Sequence, residues 1–311
     1  MPKVFVVGNV SLDLVLGGIP DYPDWGTEVL IPGYVMRPGG AASNASLALA
    51  ALGVPTFIVA TVGKDSLGEE IRNHFVKAGI RVDFLSFCPT RQTAISVGVT
   101  NAQTKERSFL TDLGAQECLS REHLEAISPL LEERDFLLLC GYFLSPGLRV
   151  PEVRNVLSGF GQRGVTMLFD TGWPTEGWTE DVREEIRTLL PLFDYFLPNE
   201  KELEGAGGRD IALLPRKGTI VKQGERGCTA YTRDGVFSAA TLQVSVTDTV
   251  GAGDYFNAGF IFGLLEGYPL PLSLRCATTV AALNISTSPE RNNLATRNTL
   301  TTMLFPGGVP R

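Results

Sequence analysis

Residues 248–261 read DTVGAGDYFNAGFI. Gly251, Ala252 and Gly253 leave the backbone nearly bare, Asp254 follows at once, and an apolar run continues to Leu265. This predicts a helix that starts with no side chain in its way. The first N–H groups of a helix lack internal partners and carry the positive end of its dipole. A phosphate or a developing anion is stabilised there, and small residues let it approach the backbone. A carboxylate beside such a site is badly placed to hold a phosphate, because like charges repel. It is well placed to take a proton from a hydroxyl that attacks one. The stretch points to phosphoryl transfer to an alcohol, with the 251–253 amides as an anion hole and Asp254 as base. An aspartate that only complements the helix dipole would give the same local pattern.

Outward from this motif the chain alternates strands and helices. FLLLCG (136–141), VTMLFD (165–170), YFLPN (195–199) and GTIVKQG (218–224) read as strands, with helical segments between most of them. Val4–Val7 is a continuous apolar run that suits a strand buried on both faces. PTFIVATVG (55–63) reads as a further strand, and SLGEEIRNHFVKAG (66–79) as a helix with Ile71, Phe75 and Ala78 on one face. This alternation predicts an α/β fold, a mostly parallel central sheet with helices on both faces. Two stretches break the pattern. Residues 14–38 are rich in Gly and Pro around an alternating EVLIPGYVM, and residues 93–112 read as a hairpin turning near 101–105. Together they predict a small second sheet.

A second glycine-rich entry, RPGGAASNASLALAALG (37–53), leads into a helix over 43–52 that Gly53 ends. Asn44 falls in its first turn, where it either faces a ligand or caps the helix.

Composition narrows the function. The 311 residues carry a net charge of −7, which argues against nucleic acid or an anionic membrane as partner. Five cysteines stand far apart without a CxxC, and there are two histidines. The spacing predicts no structural zinc site and no disulfide framework, as expected of a reducing cytoplasm. MPKVFVVGNVSLD reads as a first strand; it is too short for a membrane span and lacks a signal-peptide pattern.

On these residues the chain resembles the ribokinase-like, or PfkB, family of sugar and nucleoside kinases. GGAASNASLALAALG (39–53), followed by nine residues and Gly63, is similar to one family signature, and DTVGAGDYFNAGFI to the other. NVSLD (9–13), NEKE (199–202) and KQGERG (222–227) follow in the family's order, and the resemblance runs from about residue 3 to about 290. No GxxxxGK[ST] is present, so the P-loop kinases are not resembled.

The resemblance implies a ribokinase-like core over 1–11, 39–90 and 113–311, with a β lid over 12–38 and 91–112. It implies ATP and Mg2+ as cofactors and a small sugar or polyol as substrate. Asp254 would be the general base, and Gly251, Ala252 and Gly253 the anion hole. Asp13, Gly39, Gly40 and Asn44 would bind the sugar. Asn199 and Glu202 would organise Mg2+, largely through water. Lys222, Gly224 and Gly227 would cover the nucleotide phosphates, and Asn284 would line the adenine pocket. A homodimer through the lid sheet is implied as well.

Departures from the family are informative. Many relatives bind a monovalent cation near Asp248 and Val250 and through a later Gly-Ala loop. Here that loop reads STSPERNNLATRN (286–298), which puts potassium activation in doubt. The tail from about Pro289 diverges and is expected to be poorly ordered. Trp25, Tyr34 and Phe109 would suit a nucleoside acceptor, and Arg37 and Arg107 a phosphorylated sugar. A nonenzymatic ligand sensor would not need Asp254. A dehydrogenase is disfavoured, because GNVSLD is not GxGxxG.

Overall fold

The computed structural model describes residues 2–103, 107–287 and 294–306, with the side chain of Arg107 outside them. In chain order the first half contains β1 (Val4–Gly8), β2 (Ser11–Ile19), β3 (Tyr34–Gly39), α1 (Ala41–Ala51), β4 (Thr56–Gly63), α2 (Ser66–Lys77), β5 (Arg81–Cys88), β6 (Ile95–Asn101), β7 (Arg107–Asp112) and α3 (Arg121–Ile127). The second half contains β8 (Phe136–Cys140), α4 (Pro151–Gln162), β9 (Thr166–Asp170), α5 (Glu180–Leu189), β10 (Tyr195–Phe196), α6 (Glu200–Ala206), β11 (Gly218–Lys222), β12 (Cys228–Thr232), β13 (Gly235–Ala239), α7 (Ala252–Leu265), α8 (Leu270–Ile285) and α9 (Arg297–Leu304).

The nine-stranded main sheet runs β13-β12-β11-β10-β9-β8-β1-β4-β5. From β11 to β5 every pairing is parallel; β12 and β13 close one edge as an antiparallel hairpin. The apolar run of β1 explains its central place. Val4 and Val6 join a core with α1, α2, α7 and α8, while Phe5 and Val7 join a core with α3, α4, α5 and α6. A strand that feeds two cores cannot alternate polar and apolar residues.

The second sheet has four strands in the order β3-β2-β6-β7. β2 pairs parallel with β6 and antiparallel with β3, and β6 pairs antiparallel with β7. Side-chain alternation gives this sheet two unlike faces. One row crosses it as Asp13, Ser96 and Thr111; the next crosses as Met36, Leu14, Val97 and Leu110.

Several expectations need correction. Only Tyr34–Gly39 pairs as a strand within the alternating stretch that begins at Glu28, since Pro32 and Gly33 interrupt it. β5 and the β12–β13 hairpin lie at the sheet edges, where their half-exposed residues give weak apolar signals. The cysteine spacing also misleads. Cys88, at the end of β5, is joined by a disulfide to Cys118, in the turn after β7, while Cys140, Cys228 and Cys276 are buried free thiols. This pairing is tertiary, so no local spacing announces it. The tail is ordered over α9, whose Leu300 and Leu304 are buried in the core. Residues 288–293, the middle of the expected cation loop and the start of the expected tail, lie outside the described residues. Among the described residues, no helix is long and apolar enough to cross a membrane.

Candidate active site

The Gly-Ala-Gly tract begins α7 as expected. Gly251 is the N-cap, with φ 83°, a left-handed conformation that glycine adopts without strain. Asp254 lies in the first turn. Its Oδ2 accepts a hydrogen bond from Asn44 Nδ2 at 2.7 Å. Asn44 does not cap α1, whose N-cap is Gly40; its amide is turned to Asp254, 210 residues away.

The paired glycines before α1 have steric roles. A Cβ on Gly39 would lie 1.9 Å from Asp13 Cγ, so the Asp13 carboxylate sits directly against the bare α-carbon. A Cβ on Gly40 would lie 2.4 Å from the Asn9 carbonyl oxygen. The Asn9 side chain in turn accepts from Ala41 N at 3.1 Å and serves the start of α1. Ser11 Oγ donates to Asp13 Oδ1 at 3.0 Å.

Asn9, Ser11, Asp13, Gly40, Asn44 and Asp254 line a cavity of about 170 Å³ beneath the second sheet, with Ser96, Phe109, Thr111 and Gln116 on its other walls. A larger cavity of about 740 Å³ lies beside it. Asn199, Glu202, Lys222, Gly224, Gly227 and Gly253 line this larger space. Asp254 lines both. Of the residues expected from the sequence, the small cavity takes Asp13, Gly40, Asn44 and Gly251, the large one also takes Ala252, Asp254 stands on the wall of both, and Gly39 lines neither.

Asn284 is a correction. Thr278, Ala281, Ala282 and Ile285 supply the α8 wall of the large cavity, and Asn284 does not. Its Oδ1 accepts from Ala295 N at 2.7 Å, so it ties α8 to the segment before α9. Arg37 is another. It is buried and paired with Asp248 at 2.5 Å, which commits its charge to the loop before α7 and away from a substrate anion. Trp25 and Tyr34 are exposed and line neither cavity; Phe109 lines the small one.

Lys222 is less simple than expected. Its Nζ is 2.7 Å from Asp170 Oδ2, and Asn257 Nδ2 donates to the same oxygen at 2.5 Å. Burial alone would lower the Lys222 pKa, but the Asp170 and Glu202 charges hold it above the usual lysine value. Burial, with Asp170 nearby, raises the Glu202 carboxyl. Asn199 and Glu202 form a reciprocal capping box on α6: Asn199 N donates to Glu202 Oε2 at 2.8 Å, and Glu202 N to Asn199 Oδ1 at 2.9 Å.

Asp170 was not singled out from the sequence. Its signal was available, because a carboxylate at the carboxyl end of a parallel strand stands where α/β sheets bind ligands. Asp170 and Glu202 both line the large cavity and offer hard oxygen donors, which suit Mg2+. Among the described residues no three His, Cys, Asp or Glu side chains cluster to hold a metal.

The profile of the pfkB family carbohydrate kinases matches residues 1–297. The ribokinase of Bacillus subtilis is 25% identical over 311 residues, covering 98% of this chain and 100% of the relative. The aminoimidazole riboside kinase of Salmonella typhimurium is 28% identical over 280 residues, covering 85% of this chain and 81% of the relative. Among solved structures, a putative ribokinase II from E. coli in complex with ATP and Mg2+ is similar in fold. Its TM-score is 0.81 at 21% identity, covering 98% of this chain and 100% of that one.

Proposed function

The chain belongs to the pfkB family of carbohydrate kinases, and on that premise we propose that it transfers the γ-phosphoryl group of ATP to a hydroxyl of a small sugar or sugar derivative. The observation that carries this reading is the position of Asp254 at the wall common to the two cavities. ATP occupies the large cavity and the sugar the small one. Asp254 takes the proton of the attacking hydroxyl, a contribution of about 10²–10⁴-fold. Asn44 holds one Asp254 oxygen and so fixes the orientation of the carboxylate. The amides of Gly251 and Gly253 face the transferring phosphoryl group, each such donor being worth about 10²–10³-fold, whereas the Ala252 amide, expected from the sequence to join them, donates to the Thr249 carbonyl at 3.1 Å. Lys222 places a cation on the nucleotide side, and Gly224 and Gly227 let the loop after β11 lie close to the phosphates. Asn199 and Glu202, with Asp170 beside them, would hold Mg2+ through water, and the ion would neutralise phosphate charge.

On the sugar side, Asp13, Asn44 and the bare backbone at Gly40 receive hydroxyls, and Gly39 makes room for the Asp13 carboxylate. The second sheet roofs this cavity and acts as a lid that excludes water. Its other face carries Met36 and Leu110, both exposed. That apolar row supports a homodimer formed lid to lid. A nucleoside acceptor is the second reading, favoured by Phe109 on the wall of the small cavity, where a base would stack.

The test is ADP release with Mg-ATP across pentoses, hexoses, sugar acids, polyols and nucleosides. Acceptor-dependent release by a sugar is expected. ATP binding without release for any acceptor would overturn the kinase reading in favour of a ligand sensor.

A further inference from the structure

Gln116 belongs to the single tight turn 114–118 that follows β7, and no sequence motif marks it. It is 1% exposed and lines the small cavity. Its Nε2 donates to the Val10 carbonyl at 3.0 Å. Its Oε1 has no hydrogen-bond partner. The orientation of the amide is forced: a carbonyl only accepts, so the NH2 group must face Val10 and the oxygen is left over. The turn is also held on both sides. Ala115 N donates to Gln92 O at 2.7 Å, and Thr61 Oγ1 donates to Ala115 O at 2.5 Å. A buried acceptor fixed in place without a donor is costly in a folded protein and calls for an explanation.

The rest of the cavity has the same character. Asp13 and Asp254 contribute carboxylates, and Ser11, Ser96 and Thr111 contribute hydroxyls. Ser96 and Thr111 stand opposite each other, 2.9 Å apart. Among the described residues no Lys, Arg or His side chain lines this cavity. The nearby cation on the lid, Arg37, is committed to Asp248.

We propose that Gln116 Oε1 accepts a hydrogen bond from a hydroxyl of the phosphoryl acceptor, and that this cavity selects an uncharged polyol over a phosphorylated or acidic sugar. This deepens the kinase reading and rests on it. An anionic acceptor would bring its charge beside two carboxylates with no Lys, Arg or His among the described lining residues to offset them. A neutral polyol brings hydroxyl donors for Gln116 Oε1 and for the two carboxylates without adding charge.

The test is calorimetric binding to the whole chain with Mg2+ and a nonhydrolysable ATP analogue present, so that turnover is not the readout. The probes are D-ribose, D-fructose, ribose 5-phosphate and fructose 6-phosphate. A neutral sugar is expected to bind, with its phosphate ester weaker by 100-fold or more, on the order of two like-charge contacts. Gln116→Met is expected to weaken the neutral sugar roughly tenfold, the loss of one hydrogen bond, and to leave the ATP analogue unaffected. An ester that binds as tightly as its parent sugar, no neutral sugar binding at all, or unchanged sugar affinity in Gln116→Met would each overturn the proposal. Should that variant fail to fold, the ester comparison on the unsubstituted protein decides. Sugar binding as expected, but without ADP release when ATP replaces the analogue, would count against the kinase reading alone.

Discussion

Gly251→Ala separates the backbone role of the Gly-Ala-Gly tract from its chemical one. Gly251 holds φ 83°, and a non-glycine residue there costs about 1–2 kcal/mol. For 311 residues the unfolding entropy is about 0.65 kcal/mol per kelvin, so this strain lowers the thermal midpoint by about 1.5–3 °C. The added Cβ also meets a neighbour. It would lie 2.9 Å from Asn44 Nδ2, the group that holds Asp254, and 3.3 Å from Tyr255 Cζ. The contact moves Asn44 off the carboxylate and shifts the first amides of α7, which should cost about 10²–10³-fold in kcat. Gly267→Ala is the control. That residue has φ 73° and nothing within 4 Å of an added Cβ, so it carries the strain without the contact. Thermal unfolding and steady-state ADP release are measured on both. The expected result is a similar loss of midpoint in the two variants and a loss of turnover in Gly251→Ala only. Equal turnover in both would refute the reasoning.

Other expectations follow from the buried charges. Arg37→Met leaves Asp248 buried without its cation and should destabilise the fold by about 3–5 kcal/mol, read by denaturant unfolding. A loss under about 1 kcal/mol would place the pair among exposed ones. Glu202 gives a pH dependence of defined sign. Burial and Asp170 raise its carboxyl above 4.5, so in the window just above that value the folded chain holds a proton that the unfolded chain has lost. Its contribution to stability is present below 4.5 and declines as pH rises through the raised value. Midpoints measured from about pH 4 to 8 should therefore show wild type losing ground to Glu202→Gln as pH rises. A difference that does not change with pH would contradict this.

Local chemistry was legible in the sequence where neighbours in the chain are neighbours in space. DTVGAGD announces a bare helix start with a carboxylate in its first turn, and the structure has both. β1 is apolar because it feeds two cores, and that shows in four consecutive residues, Val4–Val7. What was not legible depends on distant pairing. Nothing near Asn44 says that it meets Asp254, and nothing near Arg37 says that it meets Asp248. Asn284 sits one position from Ile285, which lines the cavity, yet helical geometry turns it to Ala295. Gln116 was passed over because a lone glutamine in a turn carries no pattern. Its importance lies in one amide group fixed by Val10, 106 residues earlier.

The most direct test of the central claim is acceptor-dependent ADP release by Asp254→Asn, with ATP binding measured on the same preparation. The substitution keeps the shape of the side chain and removes the base. The account predicts a fall of about 10²–10⁴-fold in turnover, with ATP affinity nearly unchanged. Full turnover in the variant would contradict it, because a side chain that works equally well without its charge cannot be taking the proton.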